Sequence, residues 1–198
     1  MFTGIIEHVA NIERFEKNNN GARLVIEKPK EWDTKLGDSI AIAGVCLTVV
    51  EQTETTFAFD LMPETLIRTA FGQRDFSQYN IERAITVGAK LDGHMVSGHV
   101  DTVGTVTDIV DQDGVYKMRV SFDSQYASLI IMKGSVVIDG VSLTVTGIGD
   151  TWCEVDLVPY TLQHTTLGDL QKNDFVNLEF DLVGKYINRF MEARHAGE

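Results

Sequence analysis

Residues 44–49 read Gly-Val-Cys-Leu-Thr-Val, and residues 140–145 read Gly-Val-Ser-Leu-Thr-Val. An internal repeat constrains a fold more than any single motif, because both copies must fold into the same unit. The match extends well beyond the hexapeptide. Ser39-Ile-Ala-Ile-Ala-Gly-Val-Cys-Leu-Thr-Val49 aligns with Ser135-Val-Val-Ile-Asp-Gly-Val-Ser-Leu-Thr-Val145, and Asp60-Leu-Met-Pro-Glu-Thr-Leu66 aligns with Asp156-Leu-Val-Pro-Tyr-Thr-Leu162. Two of the three prolines, Pro63 and Pro159, fall at equivalent places. Asn80-Ile-Glu82 matches Asn177-Leu-Glu179 and Thr3-Gly4 matches Ser97-Gly98, with the offset drifting by a residue or two. A register held over roughly 80 residues means a duplicated domain.

Each copy reads as β-structure. Phe57, Phe59 and Leu61 alternate with polar or small residues, as do their counterparts Cys153, Val155 and Leu157; this is the period-2 pattern of a half-buried strand. Ile40, Ile42, Val45, Leu47 and Val49 form another set, interrupted at Gly44, where a turn or bulge is expected. Short strands separated by Gly, Asn and Asp predict an all-β chain of two tandem, homologous, small closed barrels of Greek-key type. Residues 1–90 and 91–181 are the expected units, divided near Gly88–Gly93. The remaining segment, 182–198, has no repeat partner. Leu182, Val183, Tyr186, Ile187, Phe190 and Met191 follow helical spacing, so a C-terminal helix is expected, packed either within the chain or at an oligomer seam.

Composition narrows the function. The 198 residues carry a net charge of −12, which argues against nucleic acid, where clustered Lys and Arg meet phosphates. No apolar run approaches the ~20 residues that span a bilayer, and the N-terminus lacks the basic and apolar regions of a signal peptide. A cytoplasmic protein with Cys46 and Cys153 as free thiols is therefore expected. His94 and His99 lie five apart, and no other His or Cys has metal-site spacing, so no metal is expected. Gly184-Lys185 lacks the preceding glycine-rich loop of a nucleotide site.

Met1-Phe-Thr-Gly-Ile-Ile-Glu7, Gly44-Val-Cys-Leu-Thr-Val49, Val96-Ser-Gly-His-Val-Asp101 and Lys133-Gly-Ser with Asp139-Gly-Val-Ser-Leu-Thr-Val145 together resemble riboflavin synthase of the alpha-chain type. The resemblance covers nearly the whole chain. It implies two lumazine-binding barrels plus a C-terminal helix that joins three subunits, with association with lumazine synthase as a further partner relation. The implied reaction is a dismutation without cofactor. Two molecules of 6,7-dimethyl-8-ribityllumazine exchange a four-carbon unit, giving riboflavin and 5-amino-6-(D-ribitylamino)uracil. Duplication suits this chemistry, since each barrel can hold one copy and facing barrels can stack the two in near-attack geometry; the family places those barrels on neighbouring subunits.

Two equivalent pockets do different jobs only where their residues differ. The shared positions Thr48 and Thr144, Leu47 and Leu143, Thr65 and Thr161, with the backbone around Gly4 and Gly98, are the expected binding core; the expected binding set as a whole adds Ile5, Ile6, His99 and Val100; Ser39; Cys46 and Ser142; Asp60, Leu61, Met62, Pro63 and Glu64; Leu157, Val158, Pro159, Tyr160 and Leu162; and Lys133, for which a solvated side chain is the plainer reading. Hydroxyls and backbone amides suit pteridine carbonyls and ring nitrogens, and leucine covers a flat ring. Among the diverged positions, Cys46 opposes Ser142, and either is apt as a nucleophile at electrophilic C7, although a lone cysteine also serves as a small buried hydrophobe. His99 opposes Ile5 and suits removal of a 7-methyl proton; a hydrogen-bonded histidine in a barrel mouth is the plainer reading. Asp139 opposes Ala43 and orients a base, helps activate Ser142 or caps its turn. The resemblance favours Cys46, His99, Asp139, Ser142 and Thr144 as the catalytic neighbourhood, without singling out the base. Cys153 replaces Phe57 and is expected to be inert.

Three positions depart from the family pattern. Ala43 stands where Asn is common, and Asp92 and Thr102 stand where Gly is usual. The rival readings are a lumazine-binding antenna protein without turnover and, more remotely, a flavin-dependent barrel oxidoreductase.

Overall fold

The computed structural model describes residues 1–73, 77–112 and 114–195. The described residues form thirteen strands and three α-helices, all but the last helix following the repeat. The first copy contains β1 (His8–Asn18), β2 (Gly21–Glu27), β3 (Ser39–Ile42), β4 (Val45–Thr48), β5 (Glu51–Gln52), β6 (Thr56–Leu61), α1 (Pro63–Arg68) and β7 (Gln78–Arg83). The second contains β8 (Thr102–Gln112), β9 (Val115–Ser121), β10 (Ser135–Ile138), β11 (Val141–Gly149), β12 (Trp152–Leu157), α2 (Pro159–His164) and β13 (Phe175–Phe180); α3 (Leu182–His195) ends the described chain.

The second copy is a closed barrel in the order β10-β11-β12-β9-β8-β13. The first has the same neighbours, written as a seven-stranded sheet β4-β3-β7-β1-β2-β6-β5. Its two ends, β4 and β5, are successive in the chain and together correspond to the single strand β11. The ladder breaks at Val49–Val50, where the Val49 amide donates to the Asp38 carbonyl at 2.9 Å and the Val50 amide to the Ala58 carbonyl at 3.0 Å. The expected closure is thus complete in the second copy, whereas the first forms a half-barrel sheet closed by the chain itself.

The alternation read from the sequence decides what fills each barrel. Phe57, Phe59 and Leu61 of β6 enter one core with Leu24, Ile26, Ile40 and Ile42. Cys153, Val155 and Leu157 of β12 enter the other with Val136, Ile138 and Phe180. Each fully buried aromatic or branched side chain contributes about 1.5–3 kcal/mol. A third, smaller cluster of Phe2, Ala41, Val96 and Val137 sits between the barrels, with Cys46 and Ala84 packed on it.

The two copies meet back to back at their β3–β4 and β10–β11 turns. Ala43 and Gly44 have φ of 45° and 81°, and Asp139 and Gly140 have φ of 44° and 85°, the double positive φ of a tight hairpin turn. The Asn80 side-chain amide donates to the Asp139 carbonyl and the Asn177 side-chain amide to the Ala43 carbonyl, each at 2.9 Å. The two asparagines that mark the repeat therefore cross the interface and each satisfies the other copy's turn.

Candidate functional site

Residue alternation on β4 sends Leu47 into the core and turns Cys46 and Thr48 outward; on β11 it buries Leu143 and turns Ser142 and Thr144 outward. Each outward face is met by a segment from the start of the other copy's sequence. The Cys46 amide donates to the Gly98 carbonyl, and the Ser142 amide donates to the Gly4 carbonyl, both at 2.8 Å. Only glycine allows this approach. A Cβ on Gly98 would lie 2.6 Å from the Cys46 Cβ, and one on Gly4 would lie 2.6 Å from the Ser142 Cβ. Both glycines also have positive φ, 79° and 76°. The exchange continues one step further, since Val100 packs on the first barrel's core and Ile6 on the second's.

Two composite faces result. The first joins Ser39, Cys46 and Thr48 to Gly98, His99 and Val100, with Leu66 of α1 packed on the same core. His99 is exposed, its amide held by the Ser97 hydroxyl at 3.2 Å. The second joins Ser135, Ser142 and Thr144 to Gly4, Ile5 and Ile6, with Leu162 of α2 on the same core. The five residues expected to form one catalytic neighbourhood are thus distributed: Cys46 and His99 on the first face, Ser142 and Thr144 on the second, and Asp139 at the buried turn. Asp139 is 1% exposed, and its carboxylate accepts the Asn177 amide at 2.7 Å. Ala43, at the equivalent turn, packs into the first core.

Other expected binding residues sort by their partners. Asp60 pairs with Arg23 at 2.8 Å and Glu64 with Arg68 at 2.9 Å, both at the surface, so these carboxylates are engaged by the protein. Leu61 and Leu157 are buried in their barrels. Met62, Pro63, Val158, Pro159 and Tyr160 are exposed at the starts of α1 and α2. The Tyr160 ring stacks on His164 at 4.0 Å. The Thr65 and Thr161 carbonyls accept the Thr69 and Thr165 hydroxyls at 2.6 and 2.7 Å. Lys133 is exposed, at a turn with φ of 64°.

One residue of the second face escaped the sequence reading. His94 Nδ1 lies 2.7 Å from the Ser142 hydroxyl, and its Nε2 is buried with no hydrogen-bond partner among the described residues. Burial pushes the imidazole below its ordinary value, against an opposing pull from Asp181 and Glu179. A neutral imidazole with a free Nδ1 lone pair can take a hydroxyl proton. The sequence signal beside it is Gly93, where a Cβ would collide with the Thr3 carbonyl oxygen and lie 3.2 Å from the Ser142 Cβ. Cys153 differs sharply from Cys46: it is fully buried, and burial raises its thiol to about 12.

The family model described as Lumazine binding domain matches residues 3–84 and 97–181. The riboflavin synthase of Actinobacillus pleuropneumoniae is 40% identical over 200 residues, covering 100% of this chain and 93% of that protein. Those of Mycobacterium tuberculosis and Bacillus subtilis are 41% and 37% identical, covering 98% and 96% of this chain and 99% and 90% of theirs. Among solved structures, LumP complexed with riboflavin superposes with a TM-score of 0.83 at 26% identity, covering 91% of this chain and 100% of that one. LumP complexed with 6,7-dimethyl-8-(1'-D-ribityl) lumazine gives 0.81 at 25% identity, covering 90% and 98%.

Proposed function

Because the chain belongs to the riboflavin synthase family, we propose that its two composite faces each hold one 6,7-dimethyl-8-ribityllumazine and that it acts as a transferase. One lumazine gives up a four-carbon unit and leaves as 5-amino-6-(D-ribitylamino)uracil; the other accepts the unit and becomes riboflavin. Two identical substrates balance the atoms and electrons of the two products, so no external oxidant or reductant is required.

The observation that carries this reading is a pair of like frameworks with unlike chemistry. Both faces offer a β-strand threonine, a glycine carbonyl engaged by the strand, and an apolar residue at the end of the covering segment. They differ where bonds must form: Cys46 with the exposed His99 on one, Ser142 with His94 at 2.7 Å on the other. A thiol or a histidine-supported hydroxyl can add to C7 of one lumazine, and a histidine can remove the 7-methyl proton of the other. Thr48 and Thr144 are assigned to hydrogen bonding of the pteridine edge. Asp139 is assigned to the turn between the barrels.

The two faces of one chain lie on different barrels, so we place the reaction between a first face and a second face from neighbouring subunits. The helix α3 supports that assembly. It exposes Val183, Tyr186, Ile187, Phe190 and Met191, while Lys185 ties it to Asp101 at 2.6 Å. An apolar stripe turned away from its own barrel suits a three-subunit seam. No helix among the described residues is long and apolar enough to cross a membrane, and a cytoplasmic site of action, within or beside lumazine synthase, completes the proposal.

The test is to mix the purified protein with 6,7-dimethyl-8-ribityllumazine, without metal or nucleotide, and count substrate consumed per riboflavin formed. Two per product supports the dismutation. Tight binding without product makes the protein a chromophore carrier and ends the enzymatic reading.

A further inference from the structure

We propose that Glu82 and Glu179 are positioning residues that each assemble the ligand face of the opposite repeat, an inference that rests on the two-face reading above. Glu82 is the penultimate residue of β7 in the first copy, yet it holds the segment that covers Ser142 of the second. Its carboxylate accepts the Thr3 amide at 2.6 Å, the Thr3 hydroxyl at 2.7 Å and the Gly4 amide at 2.9 Å. Glu179 is the penultimate residue of β13 in the second copy and holds the segment that covers Cys46 of the first. It accepts the Ser97 amide and hydroxyl, both at 2.7 Å, and the Gly98 amide at 3.0 Å.

The two devices are alike down to their next bond. The Thr3 hydroxyl accepts the Ile5 amide, and the Ser97 hydroxyl accepts the His99 amide, each at 3.2 Å. Each carboxylate therefore takes three donors and sets the direction of the residue that enters the ligand face: Ile5 on one side, His99 on the other. Glu82 and Glu179 are 4% and 2% exposed, and carboxylates are almost never buried this deeply without committed partners. Core packing does not require an acid at either strand end, since an apolar residue would fill the space at lower desolvation cost. What the acid supplies is a fixed backbone course for Thr3–Gly4 and Ser97–Gly98. Those segments present the glycine carbonyls that the Ser142 and Cys46 amides engage at 2.8 Å.

The consequence is a crossed dependence. A change at Glu179 or Ser97 should damage the face carrying Cys46, and a change at Glu82 or Thr3 should damage the face carrying Ser142. A merely structural carboxylate would instead disturb its own barrel, or both faces alike.

The experiment uses the full chain with riboflavin as probe. Calorimetry counts binding events and affinities, and mass spectrometry follows alkylation of Cys46, which ligand on the first face should block. In Ser97→Ala and Glu179→Gln, the riboflavin concentration that half-protects Cys46 should rise about tenfold, while the other event stays within about twofold. In Thr3→Val and Glu82→Gln, Cys46 protection should stay unchanged while the other event weakens about tenfold. The Ser97 and Thr3 variants each remove only a hydroxyl or its hydrogen bonds, and they decide the matter if a glutamate variant does not fold. Two wild-type events with uncrossed, equal or absent losses overturn the anchoring alone. Wild-type protein that binds no riboflavin overturns both the anchoring and the two-face reading.

Discussion

Replacing Gly98 by alanine tests the close approach on which the first face depends. Its φ is 79°, where an L side chain costs about 1 kcal/mol. The added Cβ would lie 2.6 Å from the Cys46 Cβ, 2.9 Å from Phe2 Cε2 and 3.1 Å from the Cys46 amide nitrogen. Cys46 Cβ is fixed to a strand, so the covering segment must retreat by about 1 Å, since ordinary carbon contacts begin near 3.5 Å. That movement stretches the 2.8 Å bond from the Cys46 amide to the Gly98 carbonyl, at a cost of about 1–3 kcal/mol if the amide is stranded. Backbone strain, overpacking and the weakened bond together come to about 3–7 kcal/mol. For a chain of this size the melting temperature should fall by about 10 °C. His99 shifts with the segment, and a misplacement of about 1 Å lowers turnover about a hundredfold. Riboflavin formation at a temperature where the variant is folded, alongside a thermal melt, reads both effects. Gly88→Ala is the control. Its φ is 90°, but no atom of the described residues lies within 4 Å of the added Cβ, so only the backbone cost of about 1 kcal/mol applies and turnover should hold. Gly98→Ala with wild-type rate and melting temperature would refute the reasoning, as would equal damage from Gly88→Ala.

Asp139→Ala should lower stability by about 2 kcal/mol, because it strands the buried Asn177 amide now 2.7 Å from the carboxylate. Turnover of the folded fraction should change little, and a hundredfold loss with an unchanged denaturation midpoint would give Asp139 a chemical role. His94 is held below its ordinary value by burial. Its neutral form therefore dominates at neutral pH, and stability should fall as pH drops below about 6.5, where the unfolded chain takes up the proton first. The acid limb of the rate profile should lie below that value and move in His94→Gln; an unmoved limb would remove His94 from the proton inventory. Burial raises the Cys153 thiol from 9.0 to about 12, so its contribution to stability is intact below pH 9 and is lost as pH rises between those values. The loss is on the order of 4 kcal/mol, read by denaturant midpoints of wild type against Cys153→Val, and parallel pH curves for the two would refute it. Truncation after Asp181 should yield monomers in sedimentation velocity, since it removes the exposed stripe from Val183 to Met191; an intact trimer would place the seam elsewhere.

The repeat made the barrels legible because period-2 alternation is a local property: Phe57, Phe59 and Leu61 are buried for the reason their spacing suggests. The sites were less legible because they are crossed. Gly4 meets Ser142 and Gly98 meets Cys46 only after the Phe2 and Val96 segments pair between the barrels, and no local pattern encodes a pairing of that separation. His94 was hidden for the same reason, since its partner lies 48 residues away and nothing periodic links them. Glu82 and Glu179 are visible in the sequence as repeat markers, but the sequence does not show what meets their carboxylates. An acid recurring at the end of an apolar strand in both copies is a costly placement unless backbone donors meet it, and the donors sit at Thr3 and Ser97, the other pair that kept the register. The two copies thus agree in the carboxylate, the hydroxyl and the glycine that hold each face together. They differ at Cys46 against Ser142 and His99 against Ile5, the side chains those parts hold in place. A duplicated framework keeps two identical ligands in equivalent settings, and substitution at the points of contact is what allows one to give and the other to receive.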